Sequence, residues 1–578
     1  MNSRDLPPRK FAGPLQGAGA ICIGNCSFAD AELAAIGHRD GMDAAWMAAF
    51  ARFGAAAPAH ATGEFAVAVR DEAGRILLAV DRFSTHPLCF RVEGTQLHFG
   101  EHAGDVSARS ATIAPQAVFD YLYFHVIPAP RTIFTDTRRL PAGNYALFEN
   151  GSIAVAPWWN PVFEETRRVP FGKLRDNFLQ LIEDSVAAQI RDRRVGCFLS
   201  GGTDSSTVAG MLGRVTGKPP ATFSIGFEAE GYDEMEYARV AAKHFHADHH
   251  EYYVTPDDLV ESIPMIAAAY DQPFGNSSVA PAYYCARMAK EAGIEHILAG
   301  DGGDELFGGN TRYAWQRVFS FYEAIPERLR TSLLEPSLLG WPMLARMPVI
   351  RKAVSYVDQA RVPLPDRLQR YNLLTRIGLA EVLSPAFLAS VDPEAPLRQQ
   401  RDVFRACAAP SMINRLLAYD WKYTLADNDI PKVVGAVSLA GISVGFPFLD
   451  DRLVDFSLGL EPSLKLKGLK LRWFFKEALR GFLPDATLAK KKHGFGLPFG
   501  IWLNRHAGLQ ELAYDSLSSL GTRGYVRPEF LDKLRNEYLS KHAAYYGELV
   551  WILVMFEQWL RAGNARSNAE AIAPGRIA

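Results

Sequence analysis

The sequence predicts an α/β protein with a strand-rich N-terminal part, a doubly wound parallel sheet and a helical C-terminal part. Within residues 1–160, short apolar or alternating runs are separated by turn residues. From about residue 170, helical patterns alternate with short buried runs at Cys197–Leu199, Ala221–Phe227, His249–Tyr253 and His296–Ala299. That alternation implies parallel strands covered by helices. Two of the runs end in glycine-rich, acid-bearing turns, and an open parallel sheet binds its ligands at such strand ends.

The N-terminal strands are expected at Gly63–Val69, Ile76–Val80, Leu97–Phe99 and Tyr145–Glu149. Prolines 157, 161 and 170 mark a linker over Trp158–Pro170. Helices dominate from about residue 315. The expected units are therefore 1–160, 170–560 and a flexible tail over 562–578. No internal repeat is present.

A chain of 578 residues is long for one domain. Its 48% hydrophobic and 22% charged residues suit sizeable globular cores. A net charge of -2 gives no basic field for nucleic acid or membrane surfaces. No apolar stretch approaches a membrane span, and Met1–Pro8 lacks a signal-peptide core, so a cytoplasmic protein is expected. The six cysteines, at 22, 26, 89, 197, 285 and 407, have no metal-ligand spacing apart from the lone Cys22-x3-Cys26. Free thiols are expected. The histidines between 244 and 250 read as surface residues of a helix and a strand rather than metal ligands.

The first chemical motif is Cys197-Phe198-Leu199-Ser200-Gly201-Gly202-Thr203-Asp204-Ser205-Ser206. A strand gives way to glycines, which let backbone N–H groups approach an anion, and then to a helix N-terminus carrying partial positive charge. Leu199, Ser200, Gly201, Gly202, Asp204, Ser205 and Ser206 form a phosphate cradle on this reading. It lacks the GxxxxGK[ST] pattern of a Walker loop. It resembles the pyrophosphate-binding loop of enzymes that split ATP into AMP and pyrophosphate. The second motif is Leu298-Ala299-Gly300-Asp301-Gly302-Gly303-Asp304-Glu305-Leu306-Phe307-Gly308-Gly309. Because both motifs follow strand ends, Asp204 and Asp304 are expected to share one magnesium ion, with Gly300 beside the nucleotide. Ser224 and Ile225, at the end of another strand, offer backbone groups to an adenine edge.

Together with Tyr232-Asp233-Glu234, Asp271-Gln272-Pro273, Phe446-Pro447-Phe448-Leu449-Asp450 and Lys492-His493-Gly494-Phe495-Gly496, these motifs resemble the asparagine synthetase B family over residues 20–505. The resemblance implies a glutaminase (Ntn-type) α+β sandwich followed by an ATP-pyrophosphatase domain using ATP and magnesium. It implies that an acyl-adenylate is attacked by an amine. Lys492 matches the lysine at the phosphates, Asp301 takes a catalytic position, and Lys432 is a second phosphate contact. Tyr313 and His493 are candidate bases by their proximity to the motifs.

The chain departs from the family in two places. Amidotransferase members begin Met-Cys-Gly, whereas this chain begins Met1-Asn2-Ser3, and the Asn-Gly-Glu region reads Gly24-Asn25-Cys26. Cys22 and Cys26 carry no free α-amine to act as base. A degenerate sandwich without glutaminase chemistry is expected. The stretch 425–447 also has Val434, Gly435, Ser443 and Gly445 where the family has charged residues. Discharged positions suggest a larger or less polar substrate than a free amino acid. Glutaminase-deficient relatives close β-lactam rings or lasso-peptide macrolactams, and the lasso type suits a peptide substrate better. That reading implies a precursor peptide as carboxylate substrate and a protease as partner, and neither nucleic acid nor membrane. The alternative is asparagine synthesis from ammonia, free or supplied by a separate glutaminase. A non-enzymatic scaffold has no need of the intact loops.

Overall fold

The computed structural model describes residues 11–166, 168–191, 193–336, 348–490 and 496–572. Nine strands build the N-terminal part. Strands β2 (Gly19–Phe28), β3 (Ala61–Arg70), β4 (Ile76–Val80), β8 (Asn144–Glu149) and β9 (Ser152–Pro157) form an antiparallel meander in that order. Strands β1 (Ala12–Gly13), β6 (Gln96–Gly100), β5 (Cys89–Glu93) and β7 (Arg138–Arg139) form the second sheet. The period-2 geometry of a strand sorts its residues between two cores. Phe65, Val67, Val69, Leu77 and Ala79 pack on Trp46 and Phe50 of the helix Met42–Phe53. Ala66, Ala68, Ile76, Leu78 and Val80 pack on Phe90, Leu97 and Phe99 of the second sheet. This is the Ntn-type sandwich. Strand β2 was not legible in the sequence, because Gly24, Asn25 and Cys26 interrupt its alternation and five of its first residues are only partly buried.

The second part is a five-stranded sheet, β12 (Asp248–Val254), β11 (Ala221–Phe227), β10 (Val195–Phe198), β13 (His296–Leu298) and β14 (Ser443–Gly445), with every neighbouring pair parallel. The chain runs outward from β10 to β12, then returns to place β13 on the other side of β10. The switch point therefore lies between β10 and β13. Buried strands with helices on both faces account for the nearly continuous apolar runs.

Beyond Gly303 the chain is mostly helical. The last helix, Ala543–Ile572, buries Val550–Met555 almost completely and accepts a 2.7 Å hydrogen bond at the Ile552 carbonyl from Tyr121 of the N-terminal part. It continues past Ala562, where the sequence suggests a tail; the alanines at 562, 565, 569 and 571 favour helix. No described helix is long and apolar enough to cross a membrane.

The two parts are clipped together. Asp451 accepts from Gly63 N at 2.8 Å, and Arg82 bridges Asp451 and Asp455 at 2.9 and 2.6 Å. The Asp271-Gln272-Pro273 motif is a second clip: Asp271 accepts from Ala103 N at 2.8 Å and Gln272 from Ile133 N at 2.9 Å.

Candidate active site

The ends of β10 and β13 open into one cavity of about 1310 Å³. After β10, Leu199 N donates to Phe223 O at 2.9 Å and extends the strand pairing by one residue. The chain then turns at Gly201, whose φ of +68° and contact with the Tyr237 backbone exclude any side chain. Ser205 Oγ accepts from Ser200 N at 3.1 Å, so the turn holds its own shape. The helix Thr203–Thr216 starts here and aims its N-terminus at the cavity. Leu199, Ser200, Gly202, Asp204 and Ser205 line it. Two expectations need correction. Gly201 is turned against the helix Met235–His244, and Ser206 is wholly buried inside the helix; neither lines the cavity. Ser224 and Ile225 do line it, but Ser224 Oγ donates to Leu199 O, which leaves only backbone groups to meet a ligand.

After β13, Gly300 packs so closely on the first helical turn that a Cβ would lie 2.8 Å from Ser205 N. Asp204 and Asp304 converge, as expected, but on the guanidinium of Arg472. Its Nη1 lies 2.8 Å from Asp204 Oδ1 and its Nη2 pairs with Asp304. Arg472 is 6% exposed, follows the hairpin Leu466–Leu471 and donates its own N–H to Gly308 O at 3.2 Å. Lys432, on the helix Ile430–Leu439, lies 2.9 Å from Asp429 and 3.6 Å from Asp301. Burial opposes the Lys432 charge, but Asp429 and Asp301 outweigh it and push its pKa up. Burial pushes the Asp301 carboxyl up against the pull of Lys432. Burial and the neighbouring Asp429 and Asp420 raise Glu305 well above the carboxylate range.

Lys490 reads as a surface charge in a basic run. In the structure its side chain is 8% exposed, bonds to Ser200 O and Glu234 at 3.1 Å each, and lies over the Tyr237 ring. It fastens the loop after β10 to the Tyr232-Asp233-Glu234 motif. Lys492 and His493 lie outside the described residues. Tyr313 is excluded as a base: it is fully buried, gives its hydroxyl proton to Asp420 and does not line the cavity.

Beyond the loop after β10 the cavity lining also includes His125, Asn276, Ser277, Asn428 and Glu548. Asn276 comes three residues after the Asp271–Pro273 clip, and Gly275 N donates to His125 O at 2.8 Å. The clip thus fixes this wall against the N-terminal part.

A profile described as asparagine synthase matches residues 177–561, and one described as glutamine amidotransferase domain matches 42–159. The chain belongs to the asparagine synthase family. It is 25% identical over 508 residues to asparagine synthetase (glutamine-hydrolyzing) 1 of Bacillus subtilis, covering 86% of this chain and 77% of that protein. It is 26% identical over 454 residues to a putative asparagine synthetase (glutamine-hydrolyzing) of Mycobacterium tuberculosis, covering 77% and 67%. A putative asparagine synthetase 2 of Methanocaldococcus jannaschii is 32% identical over 271 residues, covering 44% of this chain and 51% of its own length. Family members are ATP-dependent carbon–nitrogen ligases, and this chain is one.

Against the family, the four discharged positions fall outside the cavity lining. Gly435 lies under the Tyr270 ring, Ser443 bonds to His296, Gly445 abuts Gln189 and His296, and Val434 packs in the core. Among the cavity residues that escaped the sequence reading are Arg472, Asp429 and Glu548. Only Arg472 had a signal, since two acids at neighbouring strand ends require a counter-charge. Among the described residues no cluster of three or more His, Cys, Asp or Glu could hold a metal. The histidines expected at the surface have structural partners: His244 meets Phe482 O at 3.0 Å, and His250 stacks on Phe223.

Proposed function

We propose that the chain activates a carboxylate of a peptide with ATP and closes it onto an amine of the same peptide, giving a lasso-type macrolactam. The carboxylate oxygen attacks the α-phosphorus and pyrophosphate leaves. The amine nitrogen then attacks the carbonyl carbon, AMP leaves with that oxygen, and the amine gives up one proton. In this reading the loop Leu199–Ser205 receives phosphates through backbone N–H groups, and the backbone at Ser224 and Ile225 meets the adenine. Lys492 and Lys432 stabilise developing negative charge. Asp301, its pKa raised by burial, is placed to take the proton.

Magnesium fits the same end. Asp204 and Asp304 bring two carboxylates to one cation, here the Arg472 guanidinium. Hard oxygen ligands completed by substrate phosphates are what magnesium takes. Bound there, it would neutralise charge on the leaving pyrophosphate.

The single observation that carries the peptide reading is the cavity. At about 1310 Å³ it has room for ATP together with a second substrate, and its lining continues to Glu548, beyond the groups assigned to the nucleotide. Synthetic peptides with a free N-terminus and an internal Asp or Glu, incubated with ATP, are expected to lose one water while AMP and pyrophosphate appear. The names of the relatives favour a second reading, amidation of aspartate with ammonia. Asparagine formed from aspartate, an ammonium salt and ATP, with no peptide dehydration, would replace the first reading with the second.

The N-terminal domain keeps its fold on this proposal without hydrolysing glutamine. Gly24–Cys26 lies within β2, and Asn25 spends its side-chain oxygen on Arg191 at 2.9 Å.

A further inference from the structure

The cations of the cavity gather at one end, where seven of its eight described lining carboxylates also lie, and Glu548 is the carboxylate set apart from them. Every described lysine and arginine that lines it, Lys432, Lys470, Arg472, Lys476 and Lys490, belongs to the phosphate end or the hairpin beside it. Three are already engaged there: Arg472 by Asp204 and Asp304, Lys432 by Asp429 and Asp301, and Lys490 by Glu234. The lining also includes Asn276, Ser277, Asn428, His125 and the carboxylate Glu548. Burial pushes His125 down to about 4, so it adds no positive charge near neutral pH.

Glu548 sits in the first buried turn of the helix Ala543–Ile572. The neighbouring Gly547 rests against the backbone of Gly500, and Tyr121 anchors the next turn at Ile552. The side chain is therefore held in place by a fixed backbone. Its carboxylate accepts from Ser277 Oγ at 3.1 Å, and no described cation lies within ion-pair distance. Burial raises its pKa, partly offset by Ser277. A half-buried carboxylate with one neutral donor lacks compensation that a cationic ligand would provide. The two ends of the cavity are also mechanically joined. Asn276 donates to Asn428 at 2.9 Å, and the next residue, Asp429, holds Lys432 beside Asp301.

We infer that Glu548, with Ser277, seats the primary ammonium of the acceptor, the free amino terminus of a peptide, which releases one proton to solvent before its nitrogen attacks, and so selects the amine that reacts. Glu548 is a substrate-binding residue in this account, and the inference rests on the peptide reading above. The probe is glycinamide, a peptide amino terminus without a carboxylate, with N-acetylglycinamide as the uncharged control. Binding is measured by calorimetry on the full chain with saturating ATP. Wild type is expected to bind glycinamide and not the acetylated form. Glu548→Gln should bind it at least about tenfold more weakly, Glu548→Asp should recover part of the loss, and ATP affinity should be unchanged in both. The unchanged ATP affinity separates this outcome from misfolding. No glycinamide binding by wild type, equal binding of both probes, or equal binding by Glu548→Gln would overturn the inference. The two readings fail separately. Normal peptide dehydration by Glu548→Gln, with no rise in KM for the peptide, removes the inference and leaves the ligase. Glu548-dependent glycinamide binding with no peptide dehydrated by wild type keeps the inference and removes the lasso reading.

Discussion

The N-terminal sandwich and the parallel sheet treat their polar residues in opposite ways. In the N-terminal sandwich the carboxylate of Asp81 is consumed by Phe65 N, Phe83 N, Thr85 N and Thr85 Oγ, and the adjoining Arg82 and Gly63 are tied to Asp451. In the parallel sheet the strand ends stay open, and Asp204, Asp301, Asp304, Lys432 and Arg472 face a shared cavity with their charges balanced against one another. A surface closed by its own protein contacts is a scaffold. A surface whose charges balance but leave room for a ligand is a site. The polar groups of Asp81, Arg82 and Gly63 are spent on protein contacts, whereas Asp204, Asp301 and Asp304 line a cavity.

The largest effect that would sharpen this contrast is expected at the open strand ends. Asp204→Ala and Asp304→Ala should each abolish pyrophosphate release, because losing charge neutralisation on the leaving group costs several kcal/mol of barrier. Wild-type turnover in either variant would remove the proposed role of the two carboxylates. Lysines come next. Lys492→Ala should slow product formation about 10²–10³-fold at saturating ATP. Lys490→Ala should also be impaired, since it loses its contacts to Ser200 and Glu234, and its defect should appear mainly as weaker ATP binding. Lys541→Ala, on a side chain 65% exposed, is the control and should behave as wild type. An impaired Lys541→Ala or an unimpaired Lys490→Ala would contradict the placement of the loop.

The closed sandwich predicts smaller effects. Purified protein given glutamine should release glutamate only at the spontaneous rate, and Cys22→Ser and Cys26→Ser should leave ligation unchanged. Thiol-dependent glutamate release would show that the N-terminal surface is a site after all. Stability should carry a pH signature there as well. Burial pushes Glu64 up to about 8, with Asp81 adding to the rise, from an unfolded value near 4.5. Between those two values the folded protein binds more protons than the unfolded chain, so stability falls as pH rises through this window and levels off above it. Glu64→Gln should remove on the order of 2 kcal/mol of that dependence, read from denaturant unfolding at pH 5 and pH 8. A slope unchanged by the substitution would place the titrating group elsewhere.

Much of the site was legible because its chemistry is local in sequence. The runs Leu199–Ser206 and Gly300–Asp304 each occupy a strand end, so their pattern alone placed them at the switch point. Arg472, Asp429 and Glu548 reach the cavity from separate helices and a hairpin, and no local pattern marks a residue whose partner lies far along the chain. The same cause misled the reading of Lys490, whose neighbours in sequence are charged but whose neighbours in space are Glu234 and Tyr237. It also misled the reading of Val434, Gly435, Ser443 and Gly445, which align with charged family positions yet pack behind the cavity. In the fold, apolar runs revealed β3 and β4, while Gly24 and its polar neighbours concealed β2.

The central claim, that a carboxylate of the substrate is adenylated before an amine takes it, has a direct test. A peptide substrate carrying heavy oxygen in its Asp or Glu carboxylate is incubated with ATP, and the products are weighed by mass spectrometry. The account predicts one heavy oxygen in AMP, none in pyrophosphate, and an amide that retains the other. Heavy oxygen in inorganic phosphate with ADP, or AMP free of label, would contradict it.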